Sequence, residues 1–182
     1  MRRTVLLLCT ATLVACTPQI AGEQNTETPT SASETIAPAD QGLPIDALPE
    51  APREANEPCP YLDTNWVADT NGQKVTGQGV DPRFDTPACV FWSYGEEPQL
   101  QVIVRNMPDE KTAVDVVNWA APIDTTEPAE EPEGWSGGRM GFPDRAVYAV
   151  QKGNTAVVVF SNQSQSLKVE LVAKEVIARL GL

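Results

Sequence analysis

Residues 88–94 (ACVFWSY) and 100–105 (LQVIVR) are two short runs of β-branched and aromatic residues separated by a polar turn. Runs of this composition, bounded by turn residues, predict an antiparallel β-hairpin. A second pair of runs, 146–151 and 155–160, flanks a Gly-Asn turn and predicts a second hairpin. Because tight turns rather than long crossovers join the strands, we expect a mainly antiparallel sheet.

Three helices are predicted around these hairpins. The first begins at Pro60 and ends at an Asn-Gly pair, the second follows a cap at Asn106, and the third runs from Ser166 to Gly181. The third carries an i, i+4 stripe of apolar residues, namely Leu167, Leu171, Val172, Val176, Ile177 and Leu180. The order of elements predicts an α+β fold, a two-layer sandwich with four to five mainly antiparallel strands, three helices and one disulfide.

The N-terminus has the composition of an export signal. Arg2 and Arg3 precede an apolar run over residues 5–14 that is too short to cross a membrane. Leu13 to Cys16 resembles the lipobox of bacterial lipoproteins, which implies a signal peptide over residues 1–15 and a diacylglycerol group on Cys16. Such a chain would be anchored by lipid on the extracytoplasmic face of the cell membrane. An ordinary secretory signal followed by an incidental cysteine is the alternative.

Residues 16–57 follow the signal and are rich in Pro, Thr, Ser and Glu, without an aromatic residue. Such a segment buries too little apolar surface to offset the entropy lost on ordering. We therefore predict a disordered tether at 16–57 and a single globular domain at 58–182. An O-glycosylated stalk has the same composition, so this alternative stays open.

Charge and composition exclude several functions. Arg2 and Arg3 are lost with the signal, which leaves 11 basic against 25 acidic residues and a net charge of about −14. A protein with this negative charge repels nucleic acid. The expected partners are the membrane, which it would contact through its lipid, and an envelope protein or cell-wall component. Histidine is absent, which removes the commonest general base and ligand of metals. No catalytic residue, metal or cofactor is predicted, and enzymatic activity is not expected.

Cys59 and Cys89 are the two cysteines of the predicted domain. In an oxidising, exported location a disulfide between them is the expected state. It would connect the start of the first helix to the first hairpin. A redox-active or metal-binding thiol pair is the alternative, although that chemistry usually requires closer spacing.

Four stretches, CPYLDTNWVADTNGQ, DTPACVFWSY, NWAAPIDTTEP and GWSGGR, resemble an uncharacterised family of actinobacterial lipoproteins with a domain of unknown function. The resemblance covers most of residues 58–182 and implies no assigned activity or catalytic residue. Residues Cys89 to Trp92 form a Cys-x-x-Trp pattern on a predicted strand, and a cysteine also stands at the start of the helix before it. This combination resembles the extracellular sensor-like domains of mycobacterial kinases. That likeness implies a binding role for an α+β domain.

Residues 121–139 are predicted to form a long acidic, proline-rich loop, and long loops inside compact domains are often functional. Trp135 and Arg139 at its end are candidate ligand-binding residues, because these residue types are enriched at binding hot spots. Tyr94, at the end of the first predicted strand, is a third candidate. The competing interpretation is favoured at this point: Trp135 covers the edge of the sheet, and Arg139 pairs with a nearby glutamate.

Two further patterns have structural explanations. Ser136 stands in a G-x-S-x-G pattern, but a nucleophile elbow needs a parallel sheet and a downstream histidine. The glutamates at 127, 130, 131 and 133 lack the frame of a calcium loop and are expected to be solvated. The sequence therefore predicts a lipid-anchored envelope lipoprotein with a non-enzymatic binding domain. The alternatives are a small envelope hydrolase with paired carboxylates and a carrier of a lipid or cell-wall precursor.

Overall fold

The structure, a computed structural model, describes residues 42–182. Its helices are α1 (Thr64–Asn71), α2 (Glu110–Ala120) and α3 (Ser166–Leu180). Its strands are β1 (Gly77–Asp81), β2 (Thr86–Trp92), β3 (Pro98–Asn106), β4 (Glu127–Glu131), β5 (Trp135–Gly141), β6 (Ala146–Lys152) and β7 (Thr155–Ser161). Short 3-10 turns lie at Arg53–Ala55 and Pro132–Gly134.

The seven strands form one antiparallel sheet in the order β1-β2-β3-β7-β6-β5-β4. The α+β class and the two predicted hairpins, β2–β3 and β6–β7, are confirmed. The prediction of four to five strands is wrong, because it lacks β1, β4 and β5. Two glycines in β1, two glycines in the middle of β5 and a proline in β4 remove the usual strand signal, since these residues are depleted in strands.

The helices cover both faces of the sheet, so the predicted two-layer arrangement is also wrong. We call the face covered by α1 and α3 the front and the face covered by α2 the back. In β7, Val157 and Val159 belong to the front core, whereas Ala156 and Val158 belong to the back core. An uninterrupted apolar strand of this kind must be covered on both faces, which explains the third layer.

A disulfide joins Cys59 to Cys89, with the two Cα atoms 5.6 Å apart, and confirms the predicted pairing. Cys89 is fully buried in the middle of β2, opposite Val102 of β3. The bond fixes the segment before α1 to the front of the sheet. Asp63 then caps α1 by accepting hydrogen bonds from the main-chain N–H groups of Asn65 and Trp66.

Residues 43–55, which we call the N-terminal strap, lie across the back of β1, β2 and β3. Leu43, Ile45 and Ala47 pack against the back core beside α2. Arg105 of β3 is buried and donates hydrogen bonds to the main-chain oxygens of Pro44, at 3.1 Å, and Leu43, at 3.4 Å. Residues that composition assigns to the tether therefore contact the folded domain.

The buried carboxylate of Asp81 makes a second contact that holds the strap against the sheet. It accepts a hydrogen bond of 2.7 Å from the main-chain N–H of Glu50. It also forms an ion pair with Arg83, in which the nitrogen and oxygen atoms are 2.6 Å apart. Burial raises the pKa of Asp81, but the bonds from Arg83 and from main-chain N–H groups outweigh it, so this pKa lies below its ordinary value. Gly79 permits the close approach, since a Cβ there would lie 3.0 Å from the Cβ of Ala51.

Candidate functional site

The three residues predicted to bind a ligand lie in two separate places. Trp135 and Arg139 are the first and fifth residues of β5, whereas Tyr94 follows the end of β2. Four antiparallel steps separate β2 from β5, so the two strands run in the same direction about 19 Å apart. Tyr94 is 77% exposed, and it lies at the opposite end of the sheet from Trp135. The structure therefore does not bring Tyr94 to the same site.

The segment 121–139, predicted to be a long loop, contains the β4–β5 hairpin, so that prediction is wrong. Glu127 lies opposite Arg139 in the register, and the turn at Pro132–Gly134 joins the two strands. Pro128 is tolerated because β4 is the outermost strand of the sheet. The hairpin orders these residues by main-chain pairing, so their order needs no ligand to explain it.

Trp135 belongs to the front core and is only 3% exposed. Its indole N–H is buried and has no hydrogen-bond acceptor within residues 42–182. A buried donor without a partner costs about 1–3 kcal/mol. The ammonium of Lys152 lies 5.6 Å from the centre of the indole ring and 3.7 Å from a carboxylate oxygen of Glu133. Trp135 is thus a core residue that retains an unused polar group.

An open groove lies between Trp135 and the C-terminal half of α3. We call it the α3–β5 groove. Its volume is about 590 Å³, within the range of small-molecule sites. It is lined by Pro132, Glu133, Trp135, Lys174, Ile177, Ala178, Gly181 and Leu182. One wall is therefore the turn of the β4–β5 hairpin, and the other is the last turns of α3.

An exposed stripe on α3 continues from this groove, and it is apolar except for Lys174. Leu167 is 60% and Leu171 is 44% exposed, and Ala178 is also exposed. At 100° per residue, Leu167, Leu171, Lys174 and Ala178 fall within about 60° of one another around the helix. The predicted single stripe is therefore wrong for Leu167 and Leu171. The residues of α3 that are buried against the sheet are Val169, Val172, Ala173 and Val176.

Arg139 lies beside the groove in a network of charges rather than at its wall. Its Nη1 is 2.7 Å from a carboxylate oxygen of Glu170, and its Nε is 3.7 Å from Glu127. Lys174, which lines the groove, is 2.6 Å from the other oxygen of Glu170. Burial raises the pKa of Glu170, but bonds and charges from Lys174 and Arg139 outweigh it, so this pKa lies below its ordinary value. Arg139 thus positions Lys174 through Glu170.

Ser136 lies within β5, which pairs in antiparallel fashion with a strand on each side. Its Oγ accepts a hydrogen bond of 3.4 Å from Nε2 of Gln151 on the adjacent strand. A nucleophile elbow joins a strand to a helix, and this geometry is different. Among the described residues, no group of three or more Cys, Asp or Glu side chains could hold a metal ion.

Sequence reasoning singled out Trp135 but not the residues of α3 that face it. One signal was present: the last helix has more apolar residues than one buried face can accommodate. Leu167, Leu171 and Ala178 belong to a second stripe, and Ile177 lies next to it. Deciding which stripe faces the sheet required the tertiary structure.

The fold and the groove define the chain as a disulfide-linked α+β domain that offers an open, mainly apolar site beside its last helix. The chain belongs to the family described as Domain of unknown function (DUF2020), which matches residues 43–182. The match includes the N-terminal strap, the disulfide and the α3–β5 groove. No curated protein matches the sequence. No helix within residues 42–182 is long and apolar enough to cross a membrane.

Proposed function

We propose that the protein is a lipid-anchored lipoprotein of an actinobacterial envelope, and that its domain binds a partner or ligand in the α3–β5 groove without catalysing a reaction. The groove, continued by the exposed stripe of α3, is the observation that supports binding. The lipobox-like stretch Leu13 to Cys16 supports the anchor, although it lies outside the described residues. The sensor-like resemblance of the Cys-x-x-Trp strand agrees with a binding role.

The apolar stripe is the strongest argument for a partner. Leu167 and Leu171 occupy successive turns of the same helix, and they are 60% and 44% exposed. Exposed apolar side chains that lie next to a groove can extend its apolar surface, and large patches of this kind mark interaction sites or ligand-binding grooves. The buried face of α3 is filled by valines and an alanine, and neither leucine belongs to the front core or the back core. Their apolar surface is available to a ligand.

Carboxylate chemistry has less support. Glu97 and Asp144 both line a smaller depression of about 380 Å³ at the other end of the sheet. Both residues are exposed, whereas a carboxyl group that serves as general acid is usually kept in apolar surroundings. We therefore place the function in binding at the α3–β5 groove.

The test is capture from solubilised native envelope by immobilised protein, followed by mass spectrometry of protein and lipid. The informative variant is Ala178→Glu, which introduces a charge into the groove at an exposed position. Its matched control is Ala55→Glu, the same change at an exposed alanine of the strap. We expect the wild type and Ala55→Glu to capture at least one envelope component that Ala178→Glu does not capture. Equal capture by all three proteins would contradict binding in the groove.

A further inference from the structure

We infer that the end of the sheet opposite the α3–β5 groove carries a second binding site, and that its ligand is a neutral saccharide. The site is the depression of about 380 Å³ that Glu97 and Asp144 line, which we call the loop-end depression. Three connections meet there: the β2–β3 turn, the β5–β6 turn and the loop between β7 and α3. The inference does not depend on binding at the α3–β5 groove.

Hydrogen bonds hold each of the three connections in place. Arg53 of the strap donates a bond of 2.8 Å to the main-chain oxygen of Gly95 in the β2–β3 turn. The main-chain N–H of Phe142 donates a bond of 2.7 Å to the oxygen of Arg145 across the β5–β6 turn. The main-chain N–H of Asn162, in the loop before α3, donates to a main-chain oxygen of β3. A ligand would therefore meet a preformed site and would not have to order these connections.

The wall of the loop-end depression includes an aromatic ring beside an amide. Phe160 of β7 is partly buried, and the ring of Trp119 packs edge-on against it, with the ring centres 5.8 Å apart. Gln101 of β3 lies directly opposite Phe160 in the register, so the two side chains lie side by side on the back of the sheet. This pairing gives a flat apolar surface with hydrogen-bonding groups next to it. A sugar ring, with an apolar C–H face and hydroxyl groups around its edge, has the complementary form.

The rim of the depression carries charged groups of both signs. Glu97 and Asp144 are exposed carboxylates, which accept hydrogen bonds, whereas the exposed guanidinium of Arg145 donates them. Neither carboxylate forms an ion pair with another described residue. The guanidinium lies over the ring of Phe142, 4.5 Å from its centre. All three charged groups are therefore available to a ligand.

This mixture of charges favours a neutral ligand rich in hydroxyl groups. A cation would attract the two carboxylates but would be repelled by Arg145, and an anion would meet the opposite arrangement. A hydroxyl group both donates and accepts hydrogen bonds, so it can pair with a carboxylate, a guanidinium or an amide. A saccharide combines such groups with the apolar ring face that Phe160 accommodates. The exposed carboxylates thus serve as hydrogen-bond acceptors and not as catalytic acids.

The experiment is an NMR titration of the ¹⁵N-labelled full chain carrying Cys16→Ser, so that no attached lipid is present. The neutral probes are cellobiose, maltose, mannobiose and N,N′-diacetylchitobiose. Chitobiose in its diammonium form is the cationic counterpart of the last probe. Each is added to about 10 mM, which detects dissociation constants in the millimolar range. We expect at least one neutral disaccharide to shift the side-chain amide signals of Gln101 and the main-chain signals of Asp144 and Arg145.

Variants of exposed acids place the binding in the depression. Glu97→Ala and Asp144→Ala should each weaken binding of the neutral probe about tenfold, because each removes a charged hydrogen-bond acceptor. Their matched controls, Glu57→Ala and Asp124→Ala, change exposed acids outside the depression and should leave the affinity unchanged. Ala178→Glu, in the α3–β5 groove, should also leave it unchanged. All five variants should unfold at the same denaturant concentration as the parent protein.

Three results would overturn the inference. The first is the absence of a shift with every neutral disaccharide. The second is tighter binding of chitobiose than of N,N′-diacetylchitobiose, which would identify a site for cations. The third is equal affinity of Glu97→Ala, Asp144→Ala and their controls, which would place the saccharide elsewhere. Envelope capture that depends on Ala178 tests the α3–β5 groove separately, so either claim can fail without the other.

Discussion

Arg105 Nη1 donates a hydrogen bond of 3.1 Å to the main-chain oxygen of Pro44, a residue 61 positions earlier in the chain. The guanidinium is buried at the back of the sheet, 5.6 Å from the ring centre of Phe84. This contact makes the N-terminal strap part of the domain. A chain that entered the domain only at residue 58 would leave the back of β1 to β3 without this cover.

Replacement of Arg105 by Met keeps most of the side-chain volume but removes the donors to Leu43 and Pro44. We expect the free energy of unfolding to fall by about 2 kcal/mol, since hydrogen bonds to charged groups contribute about 1.5–3 kcal/mol. The strap should become susceptible to limited proteolysis at native conditions, while β2 and β3 stay protected. Unchanged stability and an intact strap would show that Arg105 does not hold it.

Asp81 should make the stability of the domain dependent on pH in the acid range. Its pKa is lowered in the folded state, so the unfolded chain binds more protons as the pH falls. The stabilisation is complete above about pH 4, the ordinary range of an aspartate, and is lost as the pH falls through the folded pKa. Denaturant unfolding of wild type and Asp81→Asn should show a difference at pH 7 that shrinks below about pH 4. A constant difference would contradict this role.

The disulfide should stabilise the domain without taking part in chemistry. Cys59 and Cys89 are 30 positions apart, and closing a loop of this size contributes about 3.7 kcal/mol in the chain-entropy account. The double variant Cys59→Ala, Cys89→Ala should unfold at lower denaturant concentration by that amount and keep its ligand affinity. Free thiols at both positions in freshly exported protein, found by non-reducing mass spectrometry, would disprove the pairing in the cell.

The lipid anchor proposed above would be attached to Cys16, which lies outside the described residues. Cys16→Ser should abolish metabolic labelling with palmitate, and the protein should leave the membrane fraction. The domain should stay folded, because none of the contacts described for residues 42–182 involves this residue. Persistent labelling of the variant would contradict the lipobox interpretation.

The two hairpins β2–β3 and β6–β7 could be predicted from the sequence, because their strands are rich in β-branched residues and are joined by short turns. The β2–β3 and β6–β7 hairpins meet through β3 and β7, and all four strands carry long apolar runs. The strands β1, β4 and β5 could not be predicted, because their glycines and proline are residues depleted in strands. A Cβ at Gly137 of β5 would overlap the main-chain oxygen of Ala149, so glycine is required in a strand where it is normally rare.

The strap and the groove escaped prediction for a related reason. The strap has no aromatic residue and only the short alternation of Leu43, Ile45 and Ala47. Its position depends on Arg105 and Asp81, which lie far away in the sequence. Trp135 was recognised by residue type alone. Its surroundings depend on which stripe of α3 faces the sheet, and tertiary packing decides that.

Site-specific photo-crosslinking in intact cells tests the central claim most directly. A photoreactive residue replaces Leu171 on the stripe of α3 or, as the matched control, Leu48 on the strap, two leucines of similar exposure. Binding at the α3–β5 groove predicts a discrete crosslinked product from position 171, lost when Ala178→Glu is added, and none from position 48. The same products from both positions, or none from position 171 in a protein that incorporates the probe, would contradict it.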